Sequence, residues 1–263
     1  MKSINYYNHK IAYDLKGSGT TLVFLHGFGE NRQMWSKYTA YFSDYQILTI
    51  DLPNTGDSEI MEASVARMAK VVNAVLATEK IEKCIMIGHS MGGYVALAFA
   101  KLYEAKLLGY CLFHSQPNAD TPEKKQGRNK AIDFVKKHGS APYFKGLVPM
   151  LFAKAYLKEN EATVQKLIDF ASQIPTQGTI NQLKAMRDRP DNQEVLKNSK
   201  VPVCFIVGEN DIAVPAENSL NQTFLPNTAD IHILPNVGHM GMFEAPLKTV
   251  GILNRFIEFV IGQ

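Results

Sequence analysis

Short, uninterrupted apolar runs recur along the chain and are separated by longer stretches with helical spacing. "TLVFLHG", "YQILTIDL", "KCIMIGHS" and "LLGYCLF" alternate with helix-like segments around 34–42, 64–79 and 91–103. Runs of this length without polar alternation read as strands covered on both faces, and their alternation with helices is the pattern of a mainly parallel sheet flanked by helices. The chain is therefore expected to be an α/β protein with a doubly wound sheet.

Two departures from the alternation organise the rest. At the N-terminus, "SINYY" and "KIAYDL" read as a hairpin joined at Asn8-His9. After Pro117 the segments "KAIDFVKKHG", "YFKGLVPMLFAKAYLKEN", "EATVQKLIDFASQI" and "TINQLKAMRDR" all read as helical, punctuated by Gly139, Pro142, Pro175 and Pro190. After Pro202 the alternation resumes with "VCFIVGEN", "ADIHILPN" and a final helix from about Phe243 to Ile261. In that helix Leu247, Val250, Leu253, Phe256, Ile257 and Val260 keep a three-four spacing. The expected organisation is a core domain over 1–116 and 199–263, with a helical lid inserted over 117–198. With 263 residues, 46% of them hydrophobic, the chain can bury one substantial core.

Several classes are excluded at this stage. "MKSINYYNHK" has no apolar signal-peptide core, and no apolar run approaches the ~18 residues of a membrane span. Cys84, Cys111 and Cys204 each fall inside an apolar strand-like run with no CxxC spacing, so buried free thiols in a reducing compartment are expected, and with them a cytoplasmic location. A net charge of +3 gives no reason to expect nucleic acid.

The chemistry concentrates where "KCIMIG" ends and a helix begins. Ser90 sits on that corner, with Gly88, Gly92 and Gly93 providing room for strand and helix to approach. A serine hydroxyl needs a neighbouring base, and the base needs an orienting carboxylate. Of the seven histidines only His232 and His239 follow an acid placed after the helical insertion. His232 lies within the strand "IHIL", whereas His239 in "NVGHMG" lies just past its carboxyl end, the edge where open α/β sheets bind ligands. His239 is the expected base. The loop "GENDIAVP" offers Glu209 and Asp211; Asp211, deeper in the loop, is preferred for its reach toward the imidazole, with Glu209 the alternative and a plain turn role for Asp211 the bland reading. Backbone amides aimed at a developing oxyanion contribute about 3 to 4 kcal/mol each; Met91 and Phe28 are the expected donors. His26 and His89 are read as structural.

"LHGFGENRQMW", "DLPNTGDS", "GHSMGGYVAL", "GENDIAVP" and "GHMGMFEAP" occur in the order of the landmarks of the α/β-hydrolase fold superfamily, which this chain resembles over nearly everything outside the insertion. It looks most like the lidded serine esterases and lactonases, a likeness to which "AMRDRPD" adds. The resemblance implies Ser90 as nucleophile, His239 as base, Asp211 as acid, and Phe28 and Met91 as oxyanion donors. One departure is Asn54 where the family pattern has glycine; asparagine tolerates the left-handed backbone, so the turn is expected to survive. A serine at the corner argues against the carboxylate-using dehalogenases and epoxide hydrolases, and Tyr94 after the double glycine replaces the arginine usual in the C–C-cleaving branch of menaquinone synthesis.

The expected function is hydrolysis of a carboxylic ester of small to medium size through an acyl-enzyme, without metal or cofactor. The alternatives are lactone or C–C bond hydrolysis by the same residues, or a ligand receptor on a retired hydrolase fold. Tyr94, Phe144, Leu147, Met150 and Leu151 are the expected substrate-pocket residues. Between Thr121 and Lys145, seven cations face two carboxylates. That excess reads first as a solvated helix face and second as a dock for an acidic acyl carrier protein.

Overall fold

The computed structural model describes residues 1–262. Its eight strands are β1 (Lys2–Tyr6), β2 (His9–Lys16), β3 (Thr21–Leu25), β4 (Gln46–Ile50), β5 (Cys84–His89), β6 (Leu107–Phe113), β7 (Val203–Gly208) and β8 (Ala229–Leu234). They form one sheet in the order β1-β2-β4-β3-β5-β6-β7-β8. The first two pairings, β1 with β2 and β2 with β4, are antiparallel, and all others are parallel. β3, β5 and β7 are buried at every position, as their unbroken apolar runs require. β8 closes one edge and alternates, leaving Ile231 and Ile233 exposed. His232 lies within this edge strand, and Cys84, Cys111 and Cys204 are buried and free.

The hairpin turns one residue earlier than expected. Tyr7 and Asn8 both have positive φ, 48° and 65°, and Tyr6 pairs with His9. A two-residue hairpin turn with left-handed backbone at both positions matches the twist of the strands it joins. The segment around 34–42 is not an α-helix but two 3-10 turns, Arg32–Trp35 and Thr39–Phe42. Trp35, Tyr38 and Phe42 gather around the Phe24 ring at 5.2, 6.4 and 5.7 Å, so their helical spacing reflects one aromatic cluster rather than a continuous helix.

Helix α1 (Val65–Thr78) follows β4, and α2 (Met91–Tyr103) follows β5. Between β6 and β7 lie six helices and no strand: α3 (Pro122–His138), α4 (Ser140–Met150), α5 (Lys154–Glu159), α6 (Glu161–Ser172), α7 (Thr176–Arg187) and α8 (Gln193–Lys197). "YFKGLVPMLFAKAYLKEN" is thus divided between α4 and α5, where Pro149 ends the first. The insertion is fastened to the core through the DLPNTGDS loop. Asn54, at φ 80°, adopts the left-handed turn expected of it, and its Oδ1 accepts from the Met61 N–H and from Asn181 Nδ2 on α7, each at 3.1 Å.

After β7 come α9 (Ala216–Leu220), α10 (Gly241–Glu244) and α11 (Pro246–Ile261). Pro246 starts a separate helix where one continuous segment was expected. Val250, Leu253, Phe256, Ile257 and Val260 are buried, but Leu247, in the first turn, is 69% exposed.

The tightest packing in the fold is backbone on backbone. A Cβ on Gly88 would stand 2.4 Å from the Gly92 carbonyl oxygen, and one on Gly92 would stand 2.4 Å from that of Leu25. Gly127, on α3, has nothing within 4 Å of such a position. Gly92→Ala is therefore expected to lower stability by about 1–3 kcal/mol through overpacking. Gly127→Ala should raise it by about 0.5–1 kcal/mol through helix propensity. Denaturant unfolding followed by the fluorescence of Trp35, the single buried tryptophan, measures both.

Candidate active site

Ser90 occupies the corner between β5 and α2 with φ 49° and ψ −113°, a conformation costly for any residue with a Cβ. The surroundings impose it. The Ser90 N–H donates to the Phe113 carbonyl at 2.9 Å, and its own carbonyl accepts from the Gly93 N–H at 2.9 Å and from Ser115 Oγ at 2.8 Å. Strand and helix thus hold the residue from both sides. The N–H of Met91, first in its helix, has no intrahelical partner by position, and neither it nor the Phe28 N–H donates to protein among the described residues.

Asp211, in the loop after β7, has its two carboxylate oxygens committed separately. Oδ1 accepts from the N–H groups of Ala213 and Val214, both at 2.9 Å, and so closes a local turn. Oδ2 accepts from Nδ1 of His239 at 2.7 Å. The turn reading of this residue and its reach to an imidazole are both realised, one on each oxygen. Glu209 is exposed and instead accepts from the Asn236 N–H at 3.2 Å. The loop carrying His239 is pinned by Glu244, which accepts from the N–H groups of Gly238, Met240 and Ala153.

Three further histidines are buried in the core, and two of them, His89 and His114, pack against the His239 ring at 4.9 and 5.8 Å. His26 lies fully buried: Nδ1–H donates to the Gly27 carbonyl at 2.8 Å, Nε2 accepts from the Leu52 N–H at 2.9 Å, and burial pushes its pKa down, so the ring is neutral. His89 faces two acceptors, Glu30 Oε2 at 3.0 Å and the His239 carbonyl at 2.9 Å. Both ring nitrogens must donate, which requires the imidazolium. Burial works against that charge, but the Glu30 carboxylate outweighs it and raises the His89 pKa.

Nothing in the amino-acid order singles out His114. It follows β6 with φ 51°, is completely buried, and its Nε2 accepts from the Gly241 N–H at 3.2 Å. Its Nδ1 faces the Gly208 N–H, also at 3.2 Å, and stands 3.4 Å from Asp211 Oδ2. Asp211 Oδ2 is thus bonded to one imidazole and close to a second. Burial pushes its carboxyl pKa up, but electrostatic attraction to His239 and the hydrogen bond from that ring, with His114 close by, prevail and hold it well below the usual carboxylate range. The donor atoms of His114, Asp211 and His239 lie within 4.8 Å of one another, a spacing also compatible with a metal ion. The His239–Asp211 bond and the N–H groups of Gly208 and Gly241 facing the two His114 nitrogens already engage all three residues, so the cluster needs no ion to explain it.

A cavity of about 200 Å³ opens on Ser90 and His239. The core contributes Phe28, Glu30, His89, Tyr94, Ala213 and Val214 to its wall, and the insertion contributes Arg128, Tyr143, Leu147, Leu151 and Met186. Two of the expected pocket residues are elsewhere. Tyr143, Leu147 and Leu151 recur every four residues and present one face of α4 to the cavity. Phe144 is one position off that face and is fully buried beneath the Phe28 loop, its ring 5.2 Å from that of Phe28 and in the space a Cβ on Gly29 would need. Met150 falls on the opposite side, 58% exposed, and lines a separate groove with Pro149 and Ile212. Among the cavity residues, Arg128, Tyr143 and Met186 come from helices whose relative placement periodicity does not encode.

Fold, strained serine corner and acid–histidine pair together define the class of α/β hydrolases. The sequence matches the alpha/beta hydrolase family over residues 22–251, and the chain belongs to that family. It is 26% identical over 249 residues to a 2-succinyl-6-hydroxy-2,4-cyclohexadiene-1-carboxylate synthase of Enterobacter sp. (strain 638), covering 91% of this chain and 92% of that protein. It is also 26% identical over 253 residues to a pimeloyl-[acyl-carrier protein] methyl ester esterase of Wigglesworthia glossinidia brevipalpis, covering 92% and 95%. A thermophilic esterase from Thermogutta terrifontis superposes with a TM-score of 0.91 at 24% identity over 96% of this chain and 94% of that one. Among the described residues no helix is long and apolar enough to cross a membrane.

The buried His114 makes a pH prediction. Burial pushes its pKa down from 6.5 to about 4, so the unfolded chain binds a proton that the folded ring refuses between those values. Its contribution to stability is therefore present above about pH 6.5 and lost as the pH falls toward 4, by about 3 kcal/mol in all. In denaturant titrations at pH 7 and pH 4.5, His114→Asn should lose less stability on acidification than the wild type, whatever its stability at neutral pH. Equal losses would remove the neutral-imidazole assignment.

Proposed function

We propose that the protein is a serine hydrolase that cleaves a carboxylic ester of a small to medium acyl compound through an acyl-enzyme. The observation that carries this reading is the 2.7 Å bond from His239 Nδ1 to a buried Asp211, on a ring that shares a cavity with Ser90. With Nδ1–H held by the carboxylate, Nε2 is left unprotonated as the base.

In the first step Nε2 of His239 takes the Ser90 hydroxyl proton as Oγ attacks the ester carbonyl carbon. The carbonyl oxygen takes up the negative charge, opposite the N–H groups of Phe28 and Met91. Collapse expels the alcohol, which leaves with the proton held by His239, and Oγ remains bound to the acyl group. Water then repeats the sequence: His239 takes its proton, hydroxide adds to the acyl carbon, and Oγ departs with the proton from the imidazolium. Asp211 stays ionised throughout and stabilises the imidazolium in each half. The insertion acts as a lid whose α4 face excludes water from the acyl group. An ester is favoured as the bond cleaved because one of the relatives is named a methyl ester esterase.

Ser90→Ala should lower turnover of p-nitrophenyl esters by a factor on the order of 10⁶ without changing the unfolding midpoint. A fluorophosphonate probe should label Ser90 alone. Asp211→Asn should cost about 10⁴ in kcat, because the wrong histidine tautomer is then favoured. Glu209→Gln, out on the loop surface, should stay within a few-fold of the wild type. A wild-type protein that neither reacts with the probe nor hydrolyses any ester in a series of acyl lengths overturns the reading in favour of a ligand receptor.

A further inference from the structure

The cavity wall carries more positive charge on its α3 side than the protein neutralises. Arg128, early in α3, is the one Lys or Arg among the lining residues. Its Nε donates to Asp120 Oδ2 at 3.0 Å, and its two terminal NH2 groups make no further hydrogen bond to protein among the described residues. The other oxygen of Asp120 is already taken, accepting from Arg189 Nη1 at 2.6 Å. Arg189 is buried, its guanidinium carbon 4.1 Å over the Tyr94 ring, and its Nε and Nη2 have no hydrogen-bond partner. One carboxylate therefore serves two guanidinium groups. Lys124, one helical turn before Arg128 and partly buried, adds a third cation to the same place; burial lowers its pKa, with Asp120 opposing and the two arginines reinforcing.

Cations crowded around a single carboxylate in a poorly solvated wall are costly unless a further anion completes the set. The free fork of a guanidinium matches a carboxylate in geometry as well as charge. The remainder of the wall supplies what should lie between that anion and the scissile bond, since Leu147, Leu151 and Met186 are apolar. The space is short. About 200 Å³ is below the roughly 300–1,000 Å³ of most small-molecule pockets.

We propose that Arg128, held by Asp120, is a specificity subsite for a carboxylate on the substrate, so that the preferred esters are anions with a short chain between carboxylate and ester. This inference rests on the ester-hydrolase reading and names its substrate class. It also divides the cationic run of α3, giving Arg128 to the cavity and leaving Lys125 and Lys130 on an exposed face.

The test compares kcat/KM for matched pairs: monomethyl succinate, glutarate and adipate against methyl butanoate, pentanoate and hexanoate, and acetyl esters of short hydroxy acids against those of the corresponding alcohols. The first set finds a carboxylate on the acyl side, the second one on the alcohol side. Wild type should favour the anion by about tenfold or more in at least one pair. Arg128→Gln should lower that ratio about tenfold, chiefly through KM, and Arg128→Glu should invert it; the ratio cancels any general loss of activity. Lys125→Gln should leave it unchanged. Binding of monomethyl glutarate to Ser90→Ala, measured by calorimetry, should weaken about tenfold when Arg128→Gln is added. Arg128-dependent binding without turnover of any ester overturns the hydrolase reading alone. Turnover with flat ratios and Arg128-independent binding overturns the subsite, as does a preference that appears only when the ester is carried on an acidic carrier protein.

Discussion

The first turn of α2 rests on β3 and β5 with backbone against backbone, and most of what distinguishes this molecule depends on that contact. No side chain fits between Gly88 and Gly92 or between Gly92 and the Leu25 carbonyl, so the chain must turn from strand to helix within one residue. Ser90 takes the strain of that turn at φ 49°. Because the helix begins immediately after it, the Met91 N–H lacks a helical partner. Gly92 also lies against the His26 carbonyl in the segment leading to Phe28, and Phe28 and Ser90 line the same cavity. A strained backbone of this kind persists only where the surroundings over-determine it. Here the Phe113 carbonyl, Ser115 Oγ and the Gly93 N–H hold Ser90 on either side.

Around the corner, buried histidines are sorted by what faces them. His26 meets one backbone N–H and His114 two, groups that can only donate, and burial keeps both rings neutral. His89 meets two acceptors and is charged, with Glu30 as its counterion. The paired charges lie directly behind the His239 main chain, and His114 lies behind Asp211. The acid–histidine pair is thus supported from beneath by one ion pair and one neutral ring. Three imidazoles, His89, His114 and His239, with ring centroids within 6.2 Å of one another, would repel one another if all carried charge, and their fixed hydrogen-bond partners limit that.

The insertion contributes to the site as well as covering it. Its α4 face lays Tyr143, Leu147 and Leu151 over the cavity, α3 brings Arg128, and Arg189, just past α7, stacks on Tyr94 of the core. Asn54 and Asn181 fasten α7 to the loop after β4, so the helices are registered against the sheet by specific hydrogen bonds rather than by apolar contact alone. The core thus presents Ser90, Asp211 and His239, and the insertion lines the space in front of them with apolar side chains and one arginine.

By itself the sequence determined the parallel sheet, the helical insertion, the corner at Ser90 and the pairing of Asp211 with His239, because each rests on local order: apolar runs, glycines at fixed offsets, and loops that must emerge at the carboxyl edge of neighbouring parallel strands. Its reading was poorer wherever an apolar spacing had two explanations. Trp35, Tyr38 and Phe42 have helical spacing but form an aromatic cluster in two short turns, and Leu247 keeps the stripe of α11 yet faces water. Along α4 a helical stripe was visible, but which of its faces meets the cavity was not; Phe144 and Met150 lie one position to either side of the residues that do. Only the tertiary structure decided that choice, along with the approach of His114 to Asp211 and the sharing of Asp120 between Arg128 and Arg189. Those contacts join segments tens of residues apart through the packing angles of helices on a sheet, and a periodicity fixes which residues share a face without fixing what that face will meet.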